Sequence, residues 1–451
     1  MQEELQERIN SSKAQICVVG LGQVGLPVAL SFCNVGFVVR GLDVDKDHIE
    51  LLKNGKSPFE EPILEEMLIK SRKEERFFPT LDQNAIAESD VIIVCVPTPI
   101  SKEIKPDLSL LKNACDTISR FELKNKLIVI ESSIPPKTFE SMILPSLSGD
   151  KTTNIFASYV PERLSPGQAF EEINTTPRVI GARDQKSRDV TYDLYKKIIK
   201  ADIFKTSPIV AETCKLVENT FRDVNIALAN EIAMICERYD IDVLEIQKIC
   251  NSHPRVNLLT PGPGVGGPCL PKDPYLLLNP QDSEQIDSKI ISNARKINDY
   301  MPSHVFHLIE NTLKEQNKEI KNSTITILGT AYKGNVSDTR YSPSEKIASL
   351  LLETCSNVKI NDPHSKISFG AKYEENISKA IKNSDVVVIL TDHDEYKNIN
   401  LQEMKKDMND DPILIDTRRI FDKEIAENVG FTYVSIGYNN KGIKNNYSLL
   451  K

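Results

Sequence analysis

The stretch Ala14-Gln15-Ile16-Cys17-Val18-Val19-Gly20-Leu21-Gly22-Gln23-Val24-Gly25 joins a short apolar run to a glycine-rich turn. The apolar run predicts a buried parallel strand, and residues 26–32 predict a helix directly after the turn. A second predicted strand, residues 37–42, ends at Asp43, which stands 18 residues beyond Gly25. A strand, a G-x-G-x-x-G turn, a helix and an acidic residue in this order predict a doubly wound α/β domain.

The glycine-rich turn has the chemistry of a dinucleotide site. Its glycines allow close backbone approach, and the following helix offers free N–H groups and partial positive charge to a pyrophosphate. Asp43 can hydrogen-bond the adenosine ribose and would repel a 2′-phosphate, which favours NAD over NADP. The residues predicted to bind this cofactor are Gly20, Gly22, Gln23, Val24, Gly25 and Asp43. The alternative is a glycine-rich turn in another α/β fold.

Two more predicted strands, residues 90–96 and 127–131, fit the same sheet and end in loops with small polar residues. Ligands bind at the carboxyl ends of strands in open α/β sheets, so Thr98 and Ser133 are candidate cofactor contacts. Alternatively, these two residues cap the helices that follow.

The composition is that of an ordinary globular chain. Of its 451 residues, 40% are hydrophobic and 27% charged, and no apolar run is long enough for a membrane span. A net charge of −8 without a long basic run disfavours nucleic acid as a partner. The nine cysteines and six histidines show no metal-ligand spacing. We therefore expect no metal, reduced thiols, a charged N-terminus that is not a signal peptide, and a cytoplasmic location.

The middle of the chain is predicted to be helical. Residues 209–239 contain neither Pro nor Gly and predict one long helix, and a second helix is predicted over residues 243–250. Lys215, Asn219 and Arg222 are spaced i, i+4 and i+7, so they share one face of the long helix. Apolar residues nearly surround this helix, which predicts that it is largely buried and that its polar residues face a site.

A cysteine follows in the loop Gly264-Val265-Gly266-Gly267-Pro268-Cys269-Leu270-Pro271-Lys272-Asp273. A thiol becomes nucleophilic when a nearby cation favours its thiolate, and a buried apolar cysteine is the alternative. Simple alcohol oxidation with NAD needs no cysteine. A catalytic Cys269 therefore suggests oxidation at the aldehyde level, through a thiohemiacetal and a thioester that is hydrolysed.

The last third of the chain repeats the pattern of the first. Strands are predicted over residues 324–329, 357–361, 384–390 and 412–416, with a helix over residues 344–355. The first turn of this second doubly wound domain is not a dinucleotide fingerprint. Its Lys333 and Arg340 suit a phosphorylated ligand such as a nucleotide sugar, unless they are ordinary surface residues. Residues 287–315 predict a linking helix interrupted at Pro302.

These motifs closely resemble the UDP-glucose/GDP-mannose dehydrogenase family over nearly the whole chain. The segments that carry the resemblance are the Gly20 turn, Val96-Pro97-Thr98-Pro99, Tyr159-Val160-Pro161-Glu162-Arg163, residues 212–219, the Cys269 loop and residues 329–340. The resemblance implies oxidation of the C6 alcohol of a UDP-sugar to a carboxylate with two NAD and one water.

The resemblance also implies roles for individual residues, with Cys269 as the nucleophile and Lys215 as the residue that assists proton transfer and stabilises an oxyanion. Asn219 and Asp273 match residues that position water and intermediates, and Glu162 matches a carboxylate of acid–base chemistry. Which group deprotonates the C6 hydroxyl stays open between Lys215, Glu162 and a water held by Asp273.

The resemblance also indicates the sugar. Arg222 and His253-Pro254-Arg255 are similar to substrate positions of the N-acetylhexosamine branch, so UDP-N-acetylmannosamine is the expected substrate. UDP-N-acetylglucosamine and UDP-glucose are the alternatives, because Pro268, Lys272 and Ser133 depart from common patterns. The implied UDP-sugar contacts are Arg163, Leu164, Lys215, Asn219, Arg222, His253, Arg255, Gly266, Tyr332, Lys333 and Arg418. Arg340 is expected to reach NAD.

The predicted fold class is α/β, with two doubly wound Rossmann-like domains joined by a central helical domain. The expected boundaries are 1–205 for the NAD domain, 206–300 for the central helical domain with the cysteine loop, and 301–451 for the UDP-sugar domain. An apolar helix in so small a unit needs a partner surface, so we expect a homodimer through the central domain. The resemblance implies the same dimer, with Arg255 entering the neighbour's active site.

Two other functions fit parts of the pattern. A two-domain β-hydroxyacid dehydrogenase would share the NAD domain and the helix with Lys215 and Asn219, but would lack Cys269 and the third domain. A non-enzymatic NAD-sensing scaffold would not need Lys215, Asn219, Cys269 and Asp273 together. The number of NADH formed per sugar separates all three.

Overall fold

The protein contains two compact units in a computed structural model that describes residues 2–59, 61–101, 103–148, 155–163, 169–280, 284 and 286–438. The first unit comprises Met1–Asn219 and Lys272–Asp287, and the second comprises Thr220–Pro271 and Ser288–Lys451. Each unit is built on its own sheet.

Eight strands form the sheet of the first unit. They are β1 (Gln15–Val19), β2 (Val38–Leu42), β3 (Phe77–Thr80), β4 (Val91–Val94), β5 (Leu127–Ile130), β6 (Phe156–Tyr159), β7 (Arg178–Ala182) and β8 (Ile203–Thr206). Their order is β3-β2-β1-β4-β5-β6-β7-β8, and all neighbours are parallel except β6 and β7. The order reverses between β1 and β4, which is where open α/β sheets bind ligands.

Helices connect these strands, and both faces of the sheet are buried. The helices are α1 (Gln2–Asn10), α2 (Gly25–Asn34), α3 (Lys46–Lys53), α4 (Pro62–Lys73), α5 (Asn84–Ala87), α6 (Ser109–Ile118), α7 (Leu144–Ser148), α8 (Ala169–Thr175) and α9 (Gln185–Tyr195), with a π-helical turn at Phe139–Ile143. Alternate residues of β4 enter two different apolar cores. Val91 and Ile93 belong to one core, and Ile92 and Val94 belong to the other. A strand buried on both faces explains the continuous apolar runs of the sequence.

The central part of the chain is helical. Its helices are α10 (Pro208–Tyr239), α11 (Val243–Cys250), α12 (Asp273–Leu278) and α13 (Lys289–Glu315). The predicted interruption at Pro302 is wrong, because α13 continues through this buried residue. Tertiary packing can outweigh the cost of one missing backbone hydrogen bond.

One face of α10 differs from the predicted burial. Phe221, Leu228, Ile235 and Tyr239 are exposed by 67, 48, 47 and 73%, whereas Ala227, Ala233 and Met234 are buried. The exposed positions are separated by seven, seven and four residues, so they form one stripe along the helix. The expectation of a largely buried helix is therefore wrong for this stripe within a single chain.

The second unit contains a six-stranded parallel sheet. Its strands are β9 (Thr324–Leu328), β10 (Asn357–Asn361), β11 (Lys372–Tyr373), β12 (Val386–Ile389), β13 (Ile413–Asp416) and β14 (Thr432–Val434). Its helices are α14 (Pro343–Thr354), α15 (Ile377–Ile381), α16 (Asp394–Lys397), α17 (Leu401–Asp407) and α18 (Lys423–Val429), and a 3₁₀ turn covers Ile320–Asn322. The order β11-β10-β9-β12-β13-β14 repeats the order of the first six strands of the other sheet. The predicted pair of doubly wound α/β domains with central helices is confirmed.

The exposure of the cysteines and the apolar character of the helices are two further features of the described residues. All nine cysteines are free, and only Cys250 is classed as exposed, while Cys214 and Cys269 are half-buried. In the described ranges, no helix is both long and apolar enough to cross a membrane.

Asp362 organises the turn after β9. Its Oδ2 accepts hydrogen bonds from the backbone N–H groups of Thr330 and Ala331, at 2.7 and 3.2 Å, and lies 3.1 Å from His393 Nε2. Its Oδ1 accepts from His364 N and Ser365 N. Burial alone would raise the pKa of Asp362, but these donors, led by His393, lower it to about 2. The carboxylate thus holds two turns through its negative charge.

We expect Asp362→Asn to destabilise the protein by about 3 kcal/mol, since an amide cannot accept at both positions and leaves buried donors unpaired. In the wild type, the depressed pKa contributes stability that is complete above the ordinary pKa of 3.8 and is lost as the pH falls towards about 2. Thermal unfolding from pH 2 to pH 7 tests both effects. Asp410→Asn, at an exposed position in the loop after α17, is the control. Equal midpoints for the Asp362 variant and this control would contradict the assigned role.

Candidate active site

The turn after β1 has the shape expected of a dinucleotide cradle. Gly20 has a φ of +88°, and a Cβ placed on it would lie 2.9 Å from Cys95 O. A Cβ on Gly25 would lie 1.8 Å from Gly20 O, whereas a Cβ on Gly22 would have no atom within 4 Å. The first and third glycines thus pack the turn, and the middle one leaves its open side free for close approach. These residues fit the pyrophosphate of NAD.

Asp43 lies at the end of β2, half-buried beside this turn. Its Oδ2 accepts from Leu21 N at 2.7 Å, and its Oδ1 accepts from Asp45 N at 3.1 Å. The carboxylate therefore has a fixed position next to the glycines, as a ribose-binding acid requires.

Thr98 connects the loops after β4 and β5. Its hydroxyl donates to Ser133 O at 2.6 Å, and Lys272 Nζ lies 2.9 Å from Thr98 O. Neither Thr98 nor Ser133 precedes a helix directly, because α6 begins at Ser109 and the π-helical turn at Phe139. The capping alternative is therefore wrong for both residues. Contact with a cofactor stays a prediction.

A buried polar cluster lies on α10 and at the start of α12, within the first unit. Lys215 and Asn219 are 6 and 7% exposed, and Asp273 is fully buried. Asn219 Nδ2 donates to Asp273 Oδ2 at 2.6 Å, although the two residues are 54 positions apart. Asp273 Oδ1 accepts no hydrogen bond from the described residues, and Lys272 Nζ lies 3.8 Å from it. An amide and a lysine near a carboxylate can orient a water or an alcohol.

Glu162 titrates near neutral pH. Burial raises its pKa to about 7, although Lys215 and Arg178 oppose the rise. Arg178 on β7 is 1% exposed, and its Nη1 lies 3.8 Å from Glu162 Oε1. A carboxyl group poised in this way can accept or donate a proton at physiological pH. Its proximity to Lys215 brings two predicted site residues together.

The remaining substrate candidates of the first unit are placed differently. Arg163 donates through Nε to Glu218 Oε2 at 2.9 Å and through Nη1 to Pro177 O at 2.7 Å, so its guanidinium is largely occupied. Leu164 lies outside the described residues. Glu212 accepts from Lys137 N and Phe139 N, both at 2.7 Å, so this acid of the motif supports the π-helical turn.

The loop of Cys269 packs closely on Tyr332 in the second unit. Gly267 N donates to Arg340 O at 2.9 Å, and a Cβ on Gly267 would lie 2.8 Å from the Tyr332 ring. A Cβ on Gly266 would lie 2.7 Å from Tyr332 Cβ. Only glycine allows this contact. It places the half-buried Cys269 next to the turn after β9.

Several charged side chains act on Tyr332, the residue that packs on this loop. Burial raises the pKa of Tyr332 to about 12, and the charges of Asp338 and Cys269 add to the rise, while Arg340 and Arg222 oppose it. Arg340 Nε donates to Asp338 Oδ1 at 2.9 Å, and Nη2 donates to Oδ2 at 2.6 Å. No motif in the sequence indicates Asp338 as the partner of Arg340.

The other predicted sugar contacts of the second unit are Arg418, which is bonded to Tyr332, and four exposed residues. Arg418 Nε donates to Leu390 O and Nη2 to Tyr332 O, at 3.0 and 3.3 Å, while Lys333 is exposed. Arg222, His253 and Arg255 are all exposed. The last two lie in a loop over residues 251–257, which is closed by a pair of hydrogen bonds between the Asn251 side chain and the Leu258 backbone.

One cluster in the described part of the chain brings three possible metal ligands together. His364, His393 and Glu395 present ligand atoms within 4.8 Å of one another. However, His393 Nδ1 accepts from Asn335 N at 2.9 Å, and His393 Nε2 pairs with Asp362. Because both ring nitrogens are used, this histidine has no lone pair for a metal.

Comparison with known proteins finds three consecutive matches to one family. The NAD binding domain of the UDP-glucose/GDP-mannose dehydrogenase family matches residues 14–199, its central domain residues 209–300, and its UDP binding domain residues 326–423. A UDP-N-acetyl-D-mannosamine dehydrogenase from Methanococcus maripaludis is 38% identical over 436 residues, which cover 94% of this chain and 97% of that protein.

Solved structures show the same similarity. The UDP-D-ManNAc dehydrogenase of Pyrococcus horikoshii has a TM-score of 0.88 at 37% identity and covers 94% of this chain and 99% of its own. A UDP-glucose dehydrogenase from the archaeon Pyrobaculum islandicum has a TM-score of 0.84 at 26% identity, with 94% and 98% coverage. Enzymes for different sugars therefore share this fold.

The raised pKa of Glu162 predicts a pH-dependent stability. The folded protein holds the proton up to a pH of about 7, whereas the unfolded chain releases it near 4.5, so this group costs about 3 kcal/mol as the pH rises between these values. Glu162→Gln removes that cost. We expect its unfolding midpoint, relative to wild type, to rise between pH 5 and pH 8, as measured by calorimetry. The exposed Glu50→Gln on α3 is the control, and a parallel pH profile for all three proteins would refute the assignment.

Proposed function

The chain belongs to the UDP-glucose/GDP-mannose dehydrogenase family, and on this premise we propose that it oxidises the C6 hydroxymethyl group of UDP-N-acetyl-D-mannosamine to a carboxylate. As a UDP-sugar dehydrogenase it needs a cofactor site, a nucleotide-sugar site and acid–base groups. The observation that carries the proposal is the buried Asn219–Asp273 hydrogen bond beside Lys215 and Glu162. We also propose residues 1–205, 206–300 and 301–451 as the functional domains.

NAD, the cofactor in this proposal, supplies the hydride acceptor for two successive oxidations. Gly20, Gly22 and Gly25 hold the pyrophosphate, with Gln23 and Val24 at the same helix N-terminus. Asp43 holds the ribose and disfavours a 2′-phosphate by charge repulsion. Thr98 and Ser133 line the neighbouring strand ends, and Arg340 offers a further cationic contact.

Cys269 acts as the nucleophile of the second oxidation. Its thiolate adds to the carbon of the C6 aldehyde and forms a C–S bond, which gives a thiohemiacetal. The second oxidation converts that adduct to a thioester. Water then attacks the thioester carbonyl, the C–S bond breaks, and the products are the sugar carboxylate, the free thiolate and two protons that pass to the solvent. Its glycine neighbours let the loop pack on Tyr332, which holds Cys269 beside the turn after β9.

Four residues of the first unit serve the proton transfers. Lys215 stabilises the oxyanion, and Asn219 with Asp273 orients the water that cleaves the thioester. Glu162, with its pKa of about 7, exchanges protons with the solvent or the substrate. Lys215, Glu162 and the water on Asp273 remain three candidates for the base that takes the C6 hydroxyl proton.

The UDP moiety is assigned to the second unit. Tyr332, Lys333 and Arg418 lie at the carboxyl ends of parallel strands, where open sheets bind ligands. The other implied contacts are the cations Arg222, Arg255 and Arg163, together with His253, Leu164 and Gly266. The names of the similar proteins favour the N-acetylmannosamine sugar. UDP-N-acetylglucosamine and UDP-glucose remain the alternative substrates.

A homodimer completes the proposal. The exposed stripe of Phe221, Leu228, Ile235 and Tyr239 is apolar, and such a stripe on one helix suits an antiparallel or parallel copy of itself. The exposed loop with His253 and Arg255 follows α11, and we propose that the Arg255 guanidinium reaches the active site of the neighbouring subunit.

NADH yield per sugar tests the reaction. We expect two NADH per molecule with UDP-N-acetylmannosamine and none with UDP-N-acetylglucosamine or UDP-glucose. In Cys269→Ser, turnover should fall by more than about 100-fold, because removing the nucleophile of a covalent route costs at least this much. An aldehyde trap such as semicarbazide should then capture the intermediate.

The control is Cys250→Ser, which removes the exposed thiol of the chain and should leave the yield unchanged. Two NADH with another sugar would keep the mechanism and overturn the substrate. One NADH that Cys269→Ser leaves unchanged would make Cys269 structural.

Ile235→Glu tests the dimer. A charge buried in an apolar contact is costly, so we expect a shift from dimer to monomer in light scattering, together with a loss of activity. Ile425→Glu, at a position 58% exposed on α18, should leave the mass unchanged. A fully active monomer would refute the proposed shared site.

A further inference from the structure

Four polar side chains are buried where α10 packs on α13 in the second unit. Asp223 and Asn230 belong to α10, and Arg295 and Asn298 belong to α13. None of them is more than 2% exposed, and they lie among apolar residues such as Ala227 and Ile297. Buried polar groups are retained in such a core only when they are hydrogen-bonded to one another.

The hydrogen bonds of this cluster run in one direction. Gly262 N donates to Asn230 Oδ1 at 2.9 Å, and Asn230 Nδ2 donates to Asn298 Oδ1 at 3.0 Å. Asn298 Nδ2 donates to Asp223 Oδ1 at 2.9 Å, and Arg295 Nη1 binds the same oxygen at 2.5 Å. Because a backbone N–H can only donate, it fixes the orientation of the Asn230 amide and then of the Asn298 amide. The network therefore has one arrangement.

The network ends at the loop of Cys269. Gly262 precedes Cys269 by seven residues, and Gly267 N is bound to Arg340 O at the other end of the loop. Between these two attachments, Gly264 has a φ of +135°, and a Cβ on it would lie 3.2 Å from Pro302 Cδ. The loop is thus held at its start by a side chain of α10 and near its end by the turn after β9.

We infer that Asn230 is a positioning residue for Cys269. The inference rests on the proposed role of Cys269 as nucleophile, and Asn230 itself is expected to touch neither the thiol nor the sugar. A nucleophile must lie within about 3–3.5 Å of its target, and a misplacement of 1 Å costs about 100-fold in rate. The Asn230–Gly262 hydrogen bond restricts the start of the loop to one place on α10.

The same network controls a second site residue. Asp223 directly follows Arg222, and its ion pair with Arg295 fixes this turn of α10. Arg222 is one of the charges that act on Tyr332, next to the cysteine loop. One buried network thus holds the start of the cysteine loop and the turn of α10 that carries a proposed substrate cation.

The test compares Asn230→Ala with Asn225→Ala in a Cys250→Ser background. Asn225 lies on the same helix, and its side chain donates only to Phe221 O of that helix, so it controls for helix propensity. We measure kcat, KM for the UDP-sugar, the unfolding midpoint, and the rate of Cys269 alkylation by iodoacetamide, followed on the Cys269 peptide by mass spectrometry because Cys214 is also half-buried. For Asn230→Ala, we expect kcat to fall at least tenfold, KM to change less than threefold, and alkylation to become at least fivefold faster. The Asn225 variant should match the reference in all four.

The outcomes are separable from those of the proposed function. If folded Asn230→Ala keeps kcat within twofold, or alkylates at the reference rate, the inference is wrong. If the reference protein oxidises no UDP-sugar, the proposed function fails, while the alkylation rate still reports on the loop.

If Asn230→Ala does not fold, Asn230→Asp tests the role of the Asn230–Gly262 hydrogen bond instead. Its carboxyl group keeps an acceptor for Gly262 N–H and, protonated in this buried position, a donor for Asn298. We expect kcat within threefold of the reference. A tenfold loss in the folded protein would show that the Gly262 hydrogen bond does not set the position of Cys269.

Discussion

A carboxylate at the end of the second strand holds the turn after the first strand in both units. In the first unit Asp43 accepts from Leu21 N, and in the second Asp362 accepts from Thr330 N and Ala331 N. Each bond connects the turn after the first strand to the end of the second strand, next to the point where the strand order reverses. It therefore fixes the shape of the turn at the edge where open sheets bind ligands. The two acids differ in exposure, because Asp43 is half-buried and Asp362 is 1% exposed. The same interaction thus leaves one carboxylate able to meet a ribose and uses the other entirely inside the protein.

The two turns also differ in the space around their glycines and in the charges they carry. The first turn is built of glycines and leaves the side of Gly22 open. In the second turn, Gly329 has no such space, since a Cβ there would lie 2.4 Å from Thr391 Cβ, and the turn carries Lys333 and Arg340 instead. Backbone donors bind a pyrophosphate in one case, and long cationic side chains suit a phosphorylated ligand in the other. For a UDP-sugar dehydrogenase, one duplicated fold with two kinds of turn would supply separate sites for the cofactor and the nucleotide sugar.

The sequence predicted β1, β2, β4 and β5 of the first sheet, four strands of the second sheet, and the long helices, because their apolar runs and periodicity are local properties. The inner strands β6 and β7 were not predicted. Short edge strands such as β3 and β11 escaped notice, since they span only four and two residues and are too short to form a pattern. Within the candidate site, Lys215 and Asn219 were found from helical spacing. The bond from Asn219 to Asp273 spans 54 positions, and the pairing of Arg340 with Asp338 depends on a turn, so neither follows from periodicity. Pro302 shows the opposite case, in which a local rule predicts a break that burial overrides.

The nine free thiols differ greatly in how they meet the solvent. Burial raises the pKa of Cys17, Cys33 and Cys115 to about 12 and places that of Cys95 well above the ordinary value. Thiols of this kind stay protonated and shielded, so a small electrophile reacts with them slowly. Cys250 is exposed, and half-buried Cys269 lies on a loop. Cys214 is also half-buried, and burial together with the charge of Glu218 raises its pKa. Once Cys250 and Cys214 are replaced, a fluorophore or a covalent inhibitor could be directed to the Cys269 loop without protecting the six buried thiols.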